Sequence, residues 1–549
     1  MAPIRSIARA FALAGLVRLA VGEYVWPNEQ TDELESHLYE GAFASLVDGC
    51  DANFTEFGRN IGAEWLRTAY HDMATADVLA GTGGMDGSLA LETDRAENTG
   101  DGLPATVFTV MSQQTMRSSM PDLLAMLAVL AVGACSKGNI IIPLRPGRVS
   151  AAGAGPLGVP EPQQDLASHT ASFQRQGFNV QEMIGLVACG HSIGGVHGID
   201  FPEIVSVNNN STGNSTNADH TQTFDTTSKN LENTIAKEFV ANVSQNPLAF
   251  GPNVTTRSDF RIFNADGGEV INKMADSIDY FLSTCSNLLE RMLNTVPRGV
   301  VLGEPIAPVL IKPMKLSIEI GTDGNMIVSG KIRVSETLIA SQDSQLILHF
   351  VPRSGEACSA TEPCPTAVAS YNSELGCGFT NCGPLWKYYD FHATVPIEHG
   401  ISSFLVEISD PSGTSTTYDN GGHGFPLSDA IPPQLSKSGV SFSSNNGRTL
   451  NLTVAVLNDE RFTNISLVVP EADDPNSKLA AWSPTVTPMV RSQAVAGTNY
   501  TLYTAVHTTG SLRFNGAHPY DIVAAGPEGT VISKYNSWSD VPLVLPAAI

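Results

Sequence analysis

The spacing of apolar and polar positions changes once along this chain of 549 residues, near residue 300. Before that point, segments such as INKMADSIDYFLSTCSNLLERML place apolar residues three and four apart, the pattern of an amphipathic helix. NVQEMIGLVACGHS opens on Asn179 with Glu182 three residues later, a capping box, and Gly194 and Gly195 stop the helix just beyond His191. PDLLAMLAVLAVGAC is apolar throughout but too short to span a bilayer, and Pro121 suits the first turn of a buried helix. After residue 300 the period becomes two: MKLSIEI, NMIVSGKIRV, QLILHFV, SFLVEISD, TLNLTVAVL, ISLVVP and NYTLYTAVH read as short strands parted by Gly, Asn, Asp and Pro turns. VPRGVVLGEPIAP opens this half and DAIPPQLSKSG divides it. The expected fold is a mainly α domain over residues 40–300, followed by an all-β region of one or two β-sandwich modules, 305–430 and 436–549.

Composition adds a compartment. Residues 1–22 carry Arg5 and Arg9, then AFALAGLV, then small residues near Ala20 and Gly22, which reads as a secretory signal peptide interrupted by Arg18. No other stretch is long and apolar enough for a membrane helix, so a secreted, extracellular protein is expected. Sequons at Asn53, Asn209, Asn210, Asn214, Asn242, Asn253, Asn451, Asn464 and Asn499 suit a glycosylated surface, and VNNNSTGNSTNADH reads as a solvated insertion. Eight cysteines without a paired C-x-x-C zinc pattern favour disulfides. A net charge of −24 argues against nucleic acid or an anionic membrane as partner.

Two segments carry candidate chemistry. In WLRTAYHDM, Arg67 and His71 stand four apart and project from one helix face. A guanidinium beside an imidazole disfavours protonation of the ring and leaves a neutral base next to a fixed cation, which suits proton removal with stabilisation of oxyanion charge. Alone, this pattern is most often a helix with an exposed Arg and a capped His. Just downstream, Asp72 and the Gly84, Asp86 and Ser88 of GTGGMDGS form an oxygen-rich set of the kind a Ca²⁺ ion takes. The second segment ends on His191 at its helix terminus.

Taken in order, these motifs resemble the plant, fungal and bacterial haem peroxidase superfamily, most closely its secreted fungal class, over roughly residues 40 to 300. The resemblance implies a haem peroxidase with haem b and two Ca²⁺. It makes His71 the base, Arg67 the charge stabiliser, and Asn98 of ETDRAENTG the acceptor that fixes the His71 tautomer. Asp72, Gly84, Asp86 and Ser88 would hold one calcium. Ser192 with Asp225, Thr227, the Asn230 carbonyl and Glu232 would hold the second, Glu232 standing where the family has Asp. His191 would ligate the haem iron, with Asp266 of SDFRIFNADGG accepting from its other ring nitrogen and Asp259 as the alternative. Pro160, in RPGRVSAAGAGPLGVPEP, matches a loop that passes the haem, and Tyr70 replaces the family's Phe or Trp as an aromatic wall.

The same resemblance pairs Cys50 with Cys135 and Cys189 with Cys285, and leaves Cys358, Cys364, Cys377 and Cys382 to staple one loop region. It implies hydrogen peroxide as oxidant and small phenolic or aromatic donors oxidised by one-electron steps. Of the three acids that manganese-oxidising members use, Glu64 matches one, while Asn60 and His197 occupy the other two positions, so no manganese site is expected. Leu186 stands where ligninolytic members carry a surface tryptophan. The alternative reading is a weakly active haem-binding protein whose β modules attach it to cell-wall polysaccharide. A purely structural appendage is an equal account of that half, and a decayed fold used for adhesion is disfavoured by the intact Arg67, His71, Asn98 and His191 set.

Overall fold

The structure, a computed structural model, describes residues 25–40, 43–50, 58–207, 219–339, 341, 343–355, 364–372, 385–442, 447–474, 476–509 and 519–544. The signal-peptide segment, Cys358, Cys377, Cys382, the sequons at Asn53, Asn209, Asn210 and Asn214, and most of the Asn-rich insertion lie outside the described residues. The helices run Asp32–Tyr39 (α1), Ile61–Met73 (α2), Gly102–Met111 (α3), Met120–Cys135 (α4), Leu166–Arg175 (α5), Val180–Gly190 (α6), Thr234–Val240 (α7), Pro247–Phe250 (α8), Ser258–Phe263 (α9), Glu269–Asp276 (α10) and Ile278–Leu293 (α11).

The helical half is built around α4, whose residues are all buried because its sequence is apolar on every face. Ser119 caps it by accepting from the Asp122 amide. Asp122 in turn accepts at 2.8 Å from Arg148 Nη1, a buried ion pair that ties the following loop back to the helix. α2 packs along α4, and the disulfide between Cys50 and Cys135 pins the chain ahead of α2 to the end of α4. A second disulfide joins Cys189 of α6 to Cys285 of α11. A short hairpin, Gly195–His197 (β1) with Thr221–Thr223 (β2), follows α6. α1 precedes residue 40 and sends Leu34 and Leu38 into this helical core.

Antiparallel strands make up the rest, as the change of period predicts. Ile311–Ile320 (β3), Asn325–Ser335 (β4), Gln345–Val351 (β5), Thr366–Asn372 (β6), Trp386–Pro396 (β7), Ser403–Ser409 (β8), Ser415–Tyr418 (β9) and Phe425–Pro426 (β10) form one hydrogen-bonded sheet, in the order β10-β8-β5-β6-β7-β4-β3 with β9 on β8. Val328 of β4 and Val395 of β7 share a core with Leu348 of β5 and Val406 of β8, so the sheet folds over on itself rather than dividing into two separate sheets. The last module does divide in two. Gly439–Phe442 (β11) and Arg448–Leu457 (β12) pair with Tyr500–Thr509 (β16) and Val490–Ala494 (β15), opposite a sheet of Trp482–Pro488 (β14), Asn464–Ala472 (β13), Pro519–Gly526 (β17) and Gly529–Ser537 (β18). Leu450, Leu452 and Val454 meet Leu467, Val469 and Ile522 between them, the alternation of a β-sandwich.

Charge joins the halves. Glu35 of α1 is fully buried and accepts at 2.7 Å from Lys312 of β3 and from Arg333 of β4, which also donates at 2.9 Å to Glu40. Removing Glu35 leaves two buried cations, Lys312 and Arg333, with Glu40 as their one remaining carboxylate among the described pairs. Glu35→Ala is therefore expected to cost about 3–5 kcal/mol in denaturant unfolding, whereas the exposed pair of Lys273 and Glu269 should be worth less than about 1 kcal/mol by the same measurement.

Candidate active site

Asn60 starts α2 by accepting from the Ala63 amide at 2.9 Å, which sets the helix so that Arg67 and His71 line a cavity of about 800 Å³. The capping box of Asn179 and Glu182 starts α6, and the residue that caps its C-terminal end, His191, lines the same cavity. Gly194, at φ 76°, turns the chain there and has no room for a side chain, because a Cβ would lie 2.5 Å from that of Ala63. Pro160, Tyr70, Phe173 and Phe201 complete much of the apolar lining.

Both imidazoles are held through Nδ1. His71 Nδ1 lies 2.8 Å from Asn98 Oδ1, and Asn98 Nδ2 donates to the Glu92 carbonyl at 2.9 Å. Because the amide spends its donor on that carbonyl, it can only accept from His71, which places the His71 proton on Nδ1. Nε2 then carries a lone pair and has no hydrogen-bond partner among the described residues. Burial, then the Arg67 cation, push the His71 pKa down to about 3, against a smaller upward effect of the Asn98 bond. Arg67 donates to the Thr99 carbonyl at 2.9 Å and lies 5.8 Å from the Phe201 ring centroid. Burial lowers its pKa to about 10, so it stays a cation.

On the facing wall His191 Nδ1 lies 2.9 Å from Asp259 Oδ2, at the start of α9. Asp266 does not make this contact. Its carboxylate accepts from the amides of Gly268, Glu269 and Val270, each at 3.0 Å, and so caps α10 instead. Matching R-[LI]-x-x-D to RIFNAD selects the wrong aspartate because α9 ends at Phe263, between the two. Two further residues escaped the sequence reading. Phe224 stacks on the His191 ring at 4.3 Å and 13°, and Asn246 donates at 2.7 Å to the same Asp259 oxygen that His191 uses. Neither has a local signal: Phe224 reads only as the residue before Asp225, and Asn246 as a helix cap before Pro247.

Tyr70 stacks on Phe173 at 6.0 Å, with its hydroxyl 3.5 Å from Gln176 Oε1, and burial raises its pKa. Asn60 is used as a cap, Glu64 pairs with Arg59 at 2.7 Å, and His197 faces Asp200 at 3.5 Å. Asp72 accepts from the amides of Gly87 and Leu89 at 2.9 and 3.1 Å, and Asp86 accepts from Ser88 at 3.0 Å. Burial first and then the Asp86 charge push the Asp72 carboxyl far up. Gly84, at φ 105°, packs so closely on the Thr295 carbonyl that a Cβ would lie 2.6 Å from it. Asp225 accepts from the Thr227 amide at 2.8 Å, while its Oδ2 is buried without a hydrogen-bond partner among the described residues. Ser192 donates to the Cys189 carbonyl at 2.8 Å, Asn230 donates its amide to the Thr227 carbonyl at 2.7 Å, and Glu232 accepts from Thr234 at 3.4 Å. No cluster of three or more His, Cys, Asp or Glu side chains suited to a metal occurs among the described residues.

Residues 48–277 match the model of the family described as Peroxidase. Over 423 residues the chain is 33% identical to a WSC domain-containing protein of Arthroderma benhamiae, covering 75% of this chain and 55% of that protein. It is 32% identical over 133 residues to putative L-ascorbate peroxidase 6 of Arabidopsis thaliana, 24% of this chain and 40% of that protein. It is 30% identical over 141 residues to peroxisomal L-ascorbate peroxidase 5 of the same plant, 25% and 50% respectively. The chain thus spans about half the length of the curated relatives it matches.

The His71 environment has a pH signature. With a folded pKa of about 3 against an ordinary value near 6.5, the unfolded chain binds a proton that the folded chain refuses between those pH values. Stability from this group is complete above about pH 6.5 and falls as pH drops toward 3. ¹⁵N NMR of labelled histidine should find His71 neutral, with its proton on Nδ1, throughout pH 4.5–8. Titration near pH 6.5 would contradict the geometry.

Proposed function

We propose that the peroxidase-family domain at residues 48–277 is a haem peroxidase that reduces hydrogen peroxide and oxidises small phenolic or aromatic donors in one-electron steps. The observation that carries the reading is the pairing of two imidazoles, each anchored at Nδ1, on one cavity of about 800 Å³, with an arginine cation beside only one of them. The donor set fits haem b. His191 would hold the iron through its free Nε2, and the cavity falls in the size range of cofactor sites. When bound, haem would supply the iron at which peroxide is split and the electrons that the donors later replace.

The chain's own residues account for proton handling. His71 Nε2, unprotonated at working pH, accepts the peroxide proton and returns it to the departing oxygen, which leaves as water. Arg67 holds its positive charge against the negative charge that develops as the O–O bond breaks. Asn98 keeps the base in the tautomer that the first step needs. On the other wall, the Asp259 carboxylate pulls on the Nδ1 proton of His191 and makes that ring a more electron-donating ligand. Phe224 fixes the plane of the ring.

Calcium ions at the two oxygen-rich sets complete the proposal. Asp72 is buried beside Asp86, whose charge adds to burial in raising its protonation, and Asp225 keeps one buried oxygen without a hydrogen-bond partner among the described residues; both features are what a bound cation relieves. The disulfides, the N-terminal sequence and the described sequons support secretion of a glycosylated protein.

Titration of the purified full chain with haemin should saturate at one equivalent, and His191→Ala should abolish the tight phase. In stopped flow, His71→Ala should slow the reaction of the loaded protein with peroxide by about 10²–10⁴-fold; equal rates in variant and wild type would refute His71 as the base. Calcium at a hundredfold excess over its Kd should stabilise the chain by about 2.7 kcal/mol per site. Asp86→Ala should remove one site and Asp225→Ala the other; thermal unfolding that ignores calcium would remove this part of the proposal.

A further inference from the structure

The loop of residues 478–480 belongs to the C-terminal sandwich, where it leads from β13 to β14, yet it packs in the helical half. Leu479 is 7% exposed and joins the helical core. Gln114, 2% exposed, grips the loop backbone from both sides: its Nε2 donates to the Lys478 carbonyl at 3.0 Å and its Oε1 accepts from the Ala480 amide at 3.2 Å. Lys478 Nζ donates to Thr93 Oγ1 at 2.8 Å.

These contacts land at both ends of residues 88–92. Gly87, at φ 75°, is wedged so tightly that a Cβ there would lie 3.0 Å from Pro121 and 3.2 Å from Leu479. Thr93 closes the far end. What lies between supports His71. The amides of Gly87 and Leu89 hold the carboxylate of Asp72, the residue after His71, and the Glu92 carbonyl accepts from the amide of Asn98, whose oxygen accepts the hydrogen bond of His71 Nδ1. A segment bound at one end by an apolar wedge and at the other by a lysine has fewer ways to open than one facing water.

We propose that Leu479 and Lys478 are positioning residues for His71, so that the C-terminal sandwich is a structural part of the peroxide site rather than an appendage. They touch neither peroxide nor the reacting atoms; they act through Gly87 and Thr93 on Asp72 and Asn98. The inference rests on the peroxidase reading only for its catalytic consequence. The packing that it describes stands or falls without haem.

The test uses the full-length chain with Leu479→Ala, Lys478→Met and a control, Leu467→Ala, which removes a buried side chain from the sandwich core and not from the helical core that Leu479 joins. Hydrogen exchange of the haem-free proteins should show amides 87–98 opening on the order of tenfold faster in Leu479→Ala, and measurably faster in Lys478→Met. Amides of α4 should keep their protection, and the control should leave residues 87–98 unchanged. The haem-loaded Leu479→Ala variant should react with peroxide more slowly, with unchanged KM for the donor. Unchanged exchange at 87–98, or the same increase across α4, would overturn the proposal. Faster exchange at 87–98 in a chain whose wild type does not react with peroxide would instead uphold the packing and refute the peroxidase reading.

Discussion

The hydrogen bond from His71 to Asn98 is the contact on which the proposed chemistry turns. A histidine at the fourth position after an arginine has no preferred tautomer of its own. Here the tautomer is decided one residue away, by the Glu92 carbonyl that takes the Asn98 donor and leaves only its acceptor. The local helices, the glycine turns and the interdomain loop all bear on that bond, because Asp72 of α2 accepts from Gly87 and Asn98 donates to Glu92, at the two ends of one short segment.

The two walls of the cavity use the same device with opposite electronic effect. His71 leans on a neutral amide, and burial beside Arg67 keeps it an uncharged base. His191 leans on a carboxylate, which draws its Nδ1 proton and enriches Nε2. Under the proposed function, exchanging the partners would give a base that charges too readily on one side and a poor ligand on the other. Asn246 adds a second donor to the same Asp259 oxygen, which moderates how strongly that carboxylate pulls.

Helices and strands were legible because the apolar period is strong: the capping box at Asn179, the buried run of α4 and the alternation after residue 300 all appear as their patterns require. Arg67, His71 and Asn98 meet because two of them share a helix face and the third follows a glycine-rich return. What sequence could not supply was partner choice at distance. Asp259 and Asp266 are equally acidic, and only the exit of α9 decides which one reaches His191. The wedge of Leu479 under Gly87 joins residues almost 400 apart, for which no local pattern exists. The folded-over first β module is hidden likewise, since alternation reports which face is buried and not which sheet a strand joins.

The most direct test of the account is to locate iron by anomalous diffraction in crystals of the haem-loaded chain. The account predicts a single iron within bonding distance of His191 Nε2, with His71 Nε2 facing it across an open position. Iron bound to both imidazoles, iron on the His71 side, or haem outside the cavity would contradict it.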